Sequence, residues 1–284
     1  MRFLSVGLVR VLSAGLLLGG LPASAFKVYV FADMEGASGI TDSGQTLSAG
    51  ARYDEGQRLM AGDMNACVAG CFEAGATEVV VRDGHSSGTN VDPSVIDPRA
   101  KLIQGPTPGV RFKGLEGSEA VILLGYHAKA RTDGALLAHS YSSSSIQGLW
   151  LNGREVGEIG VDAAIAAEHN IPVVLVSGDD KAVAEAREWI PGVFTCATKK
   201  GTGPQSAQLV PVEEARRLIR ERTAAALHSR KELSPIKLKY PATLRWEYLP
   251  KGSLRTYDPA FEPVAHPRTV EKTGDSVENL FLQK

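Results

Sequence analysis

The chain has 284 residues, 43% of them hydrophobic and 22% charged, with a formal net charge of −1. That balance describes a globular protein with core enough for one large domain or two modest ones, and the mild acidity argues against nucleic acid or an anionic membrane surface as main partner. Three cysteines, Cys67, Cys71 and Cys196, are too few and too sparse for a disulfide framework.

The first segment reads as a leader. Arg2 and Arg10 give a basic start, residues 11–21 are apolar, and Ala23-Ser24-Ala25 is a small-residue cleavage site. The apolar part is too short for a membrane span. A signal peptide over 1–25 is therefore expected, with a periplasmic or secreted mature protein and no stable membrane insertion after cleavage. The remainder carries 29 basic and 32 acidic side chains.

Residues 27–32 form a β-rich apolar run ending at Asp33. Helical periodicity follows over 53–74, where Leu59, Met60, Met64, Cys67, Val68, Cys71 and Phe72 share a face and Gly75 stops the helix. The two cysteines four apart then read as small buried residues. Residues 77–81 are the next strand, and strand, helix, strand implies a parallel pair. A Pro- and Asp-rich loop over 90–99 leads to a third buried strand at 120–124. Residues 146–151, Asn152-Gly153 and 154–156 read as a hairpin with a tight turn. A helix is expected over 158–169, a buried strand over 172–176, and a helix over 182–189 capped by Asp179 or Asp180. A short strand at 193–197 precedes a Gly/Pro/Ser-rich stretch at 202–206, which reads as a boundary. A last long helix runs from Pro211 to about His228, followed by strand-like residues 243–248 and a closing Val277-Leu280-Phe281 pattern.

The expected fold is α/β, a mostly parallel central sheet with flanking helices plus a smaller C-terminal α+β portion. The divisions are 1–25 for the signal peptide, 26–205 for the catalytic domain and 206–284 for a smaller region suited to assembly.

Four strings carry the chemistry: Asp33-Met34-Glu35-Gly36, Asp83-Gly84-His85, Gly125-Tyr126-His127-Ala128 and Gly157-Glu158-Ile159-Gly160. Asp33 and Glu35 are two apart, so in an extended segment both carboxylates face one point. Alone, such an acidic pair is a solvated loop or a cap. His85 and His127 also lie just past strand ends, where open α/β sheets bind ligands. Asp83 is a candidate to orient His85. Glu158, taken singly, is only an acid near a helix N-terminus. Together these residues make a metal ligand set.

Five such ligands exceed one tetrahedral zinc that must keep a water. They suit two divalent ions about 3.5–4 Å apart, bridged by a carboxylate, with a shared water as nucleophile. Imidazole mixed with carboxylate favours Zn2+, with Mn2+ or Co2+ as substitutes. His139 is a general acid/base or oxyanion partner beside the metals, or else a loop histidine supported by Ser142 to Ser145; both readings stay open here. No nucleophile elbow, phosphate loop or dinucleotide fingerprint occurs. Two other readings stand beside a peptidase: another metal-dependent hydrolase such as a phosphoesterase or cyclic amidase, and a non-catalytic exported metal- or peptide-binding protein.

These strings, with Ala138-His139-Ser140 and Ser177-Gly178-Asp179-Asp180, occur in this order in a known family. From about residue 27 to 207 the chain resembles the DppA-type D-aminopeptidases, peptidase family M55. The resemblance implies a zinc-dependent aminopeptidase that removes the N-terminal D-residue, such as D-Ala, from short peptides. It implies two zinc ions per subunit held by Asp33, Glu35, His85, His127 and Glu158, with Asp33 bridging and His139 catalytic, described in the family as a nucleophile. It also implies a homo-oligomer, a ring-like decamer in the family.

Overall fold

The computed structural model describes residues 25–282. The leader expected over 1–25 lies, but for Ala25, outside the described residues. In chain order the elements are β1 (Lys27–Ala32), α1 (Tyr53–Glu73), β2 (Glu78–Asp83), β3 (Lys101–Ile103), β4 (Ser118–Tyr126), β5 (Ile146–Leu151), β6 (Arg154–Glu155) and α2 (Glu158–Glu168). The second half adds β7 (Val173–Asp179), α3 (Asp180–Trp189), β8 (Phe194–Gly203), β9 (Ser206–Leu209), α4 (Val212–His228), β10 (Ala242–Tyr248), β11 (Arg268–Gly274) and α5 (Val277–Leu282).

The main sheet has seven strands in the order β3-β2-β1-β4-β7-β8-β9. All neighbours are parallel except the β8–β9 hairpin at one edge. The expected α/β class, with a mostly parallel sheet and a smaller second portion, is what the chain adopts. Alternation along β1 explains why its strand is apolar throughout. Val28, Val30 and Ala32 enter the core on one face, and Tyr29 and Phe31 enter the core on the other.

On the first face lie α1 and α4, with Met60, Met64, Cys67, Val68 and Cys71 meeting Ile219, Ala226 and Leu227. On the other face lie α2, α5 and a second, antiparallel sheet in the order β11-β10-β5-β6, which supplies Leu149, Leu151, Leu244 and Trp246. The β5–β6 turn is the expected tight one: Asn152 and Gly153 have φ of 52° and 78°, the paired positive values of a type I′ hairpin. The division expected at 205–206 falls at the turn of the β8–β9 hairpin. Both β9 and α4 belong to the main layer, because β9 completes an edge and α4 covers a face already opened by α1. After α4 the chain returns to the second sheet, which β5 and β6 reached earlier. Among the described residues no helix is long and apolar enough to cross a membrane.

Strand order fixes where a site can form. From β1 the chain winds outward through β2 and β3, then returns to place β4 on the opposite side of β1. The reversal between β1 and β4 opens a crevice beyond their carboxyl ends. There the two following loops touch: Asp33 N–H donates to the Leu124 carbonyl (2.8 Å) and Gly36 N–H to the Gly125 carbonyl (2.8 Å). A Cβ on Gly36 would overlap the Tyr126 carbonyl oxygen, so only glycine permits this approach.

Candidate metal centre

The six expected side chains enter this crevice from five points of the fold. Asp33 and Glu35 follow β1, His85 follows β2, His127 follows β4, His139 stands on the loop between β4 and β5, and Glu158 opens α2. All but His139 are buried residues, and the His139 side chain is 13% exposed.

Asp33 divides its carboxylate between two neighbours. Oδ1 lies 3.0 Å from His85 Nδ1, and Oδ2 lies 3.5 Å from His127 Nε2. Glu35 Oε2 is 3.1 Å from His85 Nδ1, and Glu158 Oε1 is 3.2 Å from His127 Nε2 and 3.7 Å from His139 Nε2. The His127 and His139 rings stack at 3.9 Å between centroids, 13° from parallel.

The backbone sets the tautomer of each of the three histidines in the crevice. His85 Nε2 donates to the Thr46 carbonyl (2.9 Å), His127 Nδ1 to Ala128 (2.9 Å) and His139 Nδ1 to Leu137 (2.9 Å). In its neutral form each ring then aims its remaining lone pair at carboxylate oxygens. Lone pairs facing anions repel unless a cation lies between them. Two of these atoms, Glu35 Oε2 and His127 Nε2, are buried without an aligned hydrogen-bond partner, although each has an oppositely charged neighbour within 3.2 Å. Ligand atoms of Asp33, Glu35 and His127 lie within 4.8 Å of one another, as do those of His127, His139 and Glu158. The donor set and its two orphaned atoms fit divalent zinc.

Without a metal, protons take the cation's place. Burial alone would lower the His127 pKa, but Glu158 and Asp33 outweigh it and raise it to about 10. His85 is likewise pushed well above its ordinary value by Glu35 and Asp33 against burial. Burial would raise Glu158, yet His127 draws it down to about 2, and Asp33 is held below the usual carboxylate range by His85 and His127. His139 moves the other way, lowered by burial and by the adjacent His127.

A prediction on metal uptake follows from those signs. Both raised histidines carry protons at pH 7, and a zinc ligand must be deprotonated. Zinc binding at pH 7 is expected to release about two protons, one from each of His85 and His127. The apparent affinity should climb as pH rises from 6 to 8. Calorimetry in buffers of different ionisation enthalpy measures the release, and uptake with no proton release would contradict the ligand set.

The supporting groups were less legible. Asp83, the expected orienter of His85, accepts instead from Asn90 N–H (2.6 Å), Asn90 Nδ2 (2.6 Å) and Gln104 Nε2 (3.1 Å). Thr46 takes the orienting role because its loop closes over the ring. Asp179 caps α3 by accepting from Ala182 N–H (2.7 Å) and also holds Leu136 N–H (2.9 Å), near the His139 loop. Lys199 was missed entirely. Its buried ammonium donates to the carbonyls of Glu35 (2.9 Å), Ala37 (2.6 Å) and Ile40 (3.1 Å), fixing the Asp33 loop, and burial lowers its pKa to about 7.

Arg111 and Asp162 were missed as well. Arg111 meets fully buried Asp162 through two bonds of 3.0 and 2.9 Å, and its Nη2 is 3.8 Å from Glu158 Oε2. Tyr126 and Tyr141 hydroxyls also donate to Asp162 (2.6 and 3.1 Å). Asp162 interrupts an otherwise apolar stretch of α2 four residues after Glu158, and that was the available signal.

Imidazoles and carboxylates gathered at the switch point of a parallel sheet, open to a cavity of about 420 Å³, define a metalloenzyme of the hydrolytic kind. The chain belongs to the D-aminopeptidase family, peptidase family M55, whose model matches residues 26–281. It is 36% identical over 212 residues to a D-aminopeptidase of Bacillus subtilis (strain 168), covering 74% of this chain and 77% of that protein. Its fold is similar to the solved structure of the Zn-dependent D-aminopeptidase DppA from Bacillus subtilis, a self-compartmentalizing protease. That match has a TM-score of 0.79 at 30% identity and covers 90% of this chain and 96% of the other.

Proposed function

We propose that this chain is an exported zinc-dependent aminopeptidase that removes the N-terminal D-residue, such as D-Ala, from short peptides. The observation that carries the proposal is the set of tautomer-locked histidines facing Asp33, Glu35 and Glu158 at the floor of the cavity. Asp33, Glu35, His85, His127 and Glu158 would hold two zinc ions, and the two oxygens of Asp33 face different histidines. When bound, zinc polarises a peptide carbonyl and makes water nucleophilic near neutral pH.

The chain's own residues do the rest. His139 stands beside the ligand cluster, with Nδ1 committed to Leu137 and Nε2 open toward Glu158 and the cavity. Its lowered pKa keeps it neutral at pH 7, so Nε2 can accept a proton during attack and return it to the leaving amine. The substrate's amino end would lie on the Asp33, Glu35 and Glu158 side of the cavity. The cavity of about 420 Å³ suits short chains.

Export rests on the leader-like segment over 1–25. Assembly into a closed homo-oligomer, a decamer by family resemblance, is supported by the 96% coverage of the self-compartmentalizing relative, C-terminal portion included. The region after 205 would contribute to that assembly.

The test is direct. Mature protein beginning at Phe26 is loaded with zinc and offered D-Ala-D-Ala, L-Ala-L-Ala and a generic phosphodiester. Release of D-alanine from the first alone, abolished by a chelator and restored by zinc, is the expected result. Hydrolysis of the phosphodiester without D-peptide cleavage would overturn the proposal.

A further inference from the structure

The cavity over the ligand cluster has an acidic floor, yet a second arginine lines it. Arg111 is already neutralised by Asp162. Arg255 is different. Its Nη1 donates to Ser143 Oγ (2.8 Å), and among the described residues it makes no ion pair. Its nearest acid in sequence, Asp258, is engaged by the Arg255 backbone N–H (2.7 Å) rather than by the guanidinium.

The segment bearing Arg255 is fastened to the loop that carries His139. Thr256 Oγ1 donates to the Ala138 carbonyl (3.0 Å) and Thr256 N–H to the Ser143 carbonyl (2.8 Å). Tyr257 meets the His139 ring edge-on at 6.3 Å between centroids. Arg255 is therefore held on the same cavity wall as His139, half-buried, with hydrogen-bonding capacity left over. A fixed guanidinium with no carboxylate of its own, facing a ligand cavity, is arranged to receive one.

We infer that Arg255 binds the C-terminal carboxylate of the substrate, so that the enzyme selects very short peptides with a free C-terminus. This rests on the aminopeptidase function proposed above. The amino end lies on the Asp33, Glu35 and Glu158 side while the carboxylate end reaches Arg255 and Ser143. An extended dipeptide spans about 7 Å. The cavity of about 420 Å³ is at the small end of ligand sites. Longer peptides would have to leave their carboxylate outside it.

The experiment compares D-Ala-D-Ala with its C-terminal amide on zinc-loaded wild type, Arg255→Gln and Arg255→Lys, with thermal midpoints confirming that the variants fold. Loss of a charge-assisted bond predicts that the ratio of kcat/KM for acid over amide falls roughly 10- to 100-fold in Arg255→Gln. The fall should be carried by KM, and Arg255→Lys should restore part of it. A ratio unmoved in Arg255→Gln while wild type cleaves both substrates overturns this inference alone. Wild type that cleaves neither overturns it together with the aminopeptidase function.

Discussion

Replacing His139 by alanine is expected to lower kcat about 10²–10⁴-fold while zinc content stays at the wild-type level. The size follows from removing a positioned proton carrier, and the retained metal follows from the five proposed ligands, which do not include it. His139 is nonetheless close enough to be a ligand itself, since its Nε2, His127 and Glu158 form one of the two ligand-atom clusters within 4.8 Å. Metal content decides between the roles: a His139→Ala protein that purifies with half the zinc would make His139 a ligand. The pH profile gives an independent check. Because the pKa of His139 is lowered, the base stays neutral at pH 7 and activity at saturating zinc should fail only as pH drops below the ordinary histidine value. In His139→Ala that acid limb should flatten, because the group that titrates is gone.

Why the residues that meet in the crevice could be read from the chain while their supports could not is a matter of distance along the sequence. Asp33, His85 and His127 each sit one to four residues past an apolar run, so the runs that mark the strands also mark the site. Gly36 and Gly125, flanking those residues, mark where the β1 and β4 loops touch. Lys199 reaches Glu35 across 164 residues and Arg111 reaches Asp162 across 51, and no local periodicity encodes such meetings. The strands divide likewise. β1, β2, β4 and β7 are buried on both faces and read as continuous apolar runs. Arg268–Gly274 is polar and half-exposed and becomes β11 only because β10 offers it a pairing edge, while Lys101–Ile103 is too short to show alternation. The stretch at 202–206 has the composition of a boundary because a tight hairpin turn uses the same residues as a linker.

Asp162→Ala is expected to be the most destabilising single change near the site, costing about 3–5 kcal/mol because it strands a buried guanidinium. Asp162 is fully buried and accepts from Arg111 twice, from Tyr126 and from Tyr141. The Arg111 side chain is 17% exposed and lies over the rings of Phe31 (4.4 Å), Tyr141 (5.0 Å) and Phe281 (5.7 Å), so water cannot replace the lost carboxylate fully. For a chain of this size the thermal midpoint should fall by roughly 6–20 °C. The double change Asp162→Ala with Arg111→Met should recover much of that loss, since removing both charges leaves no uncompensated ion. If it does not, the loss came from the tyrosine bonds or from a cavity rather than from the stranded cation. Activity should not recover with stability. Tyr141 N–H donates to Glu158 Oε1 (2.7 Å), and Asp162 anchors Tyr141 by its hydroxyl, so Asp162 positions a ligand it does not touch. A double variant that regains its midpoint yet takes up zinc more weakly than wild type would separate those two roles.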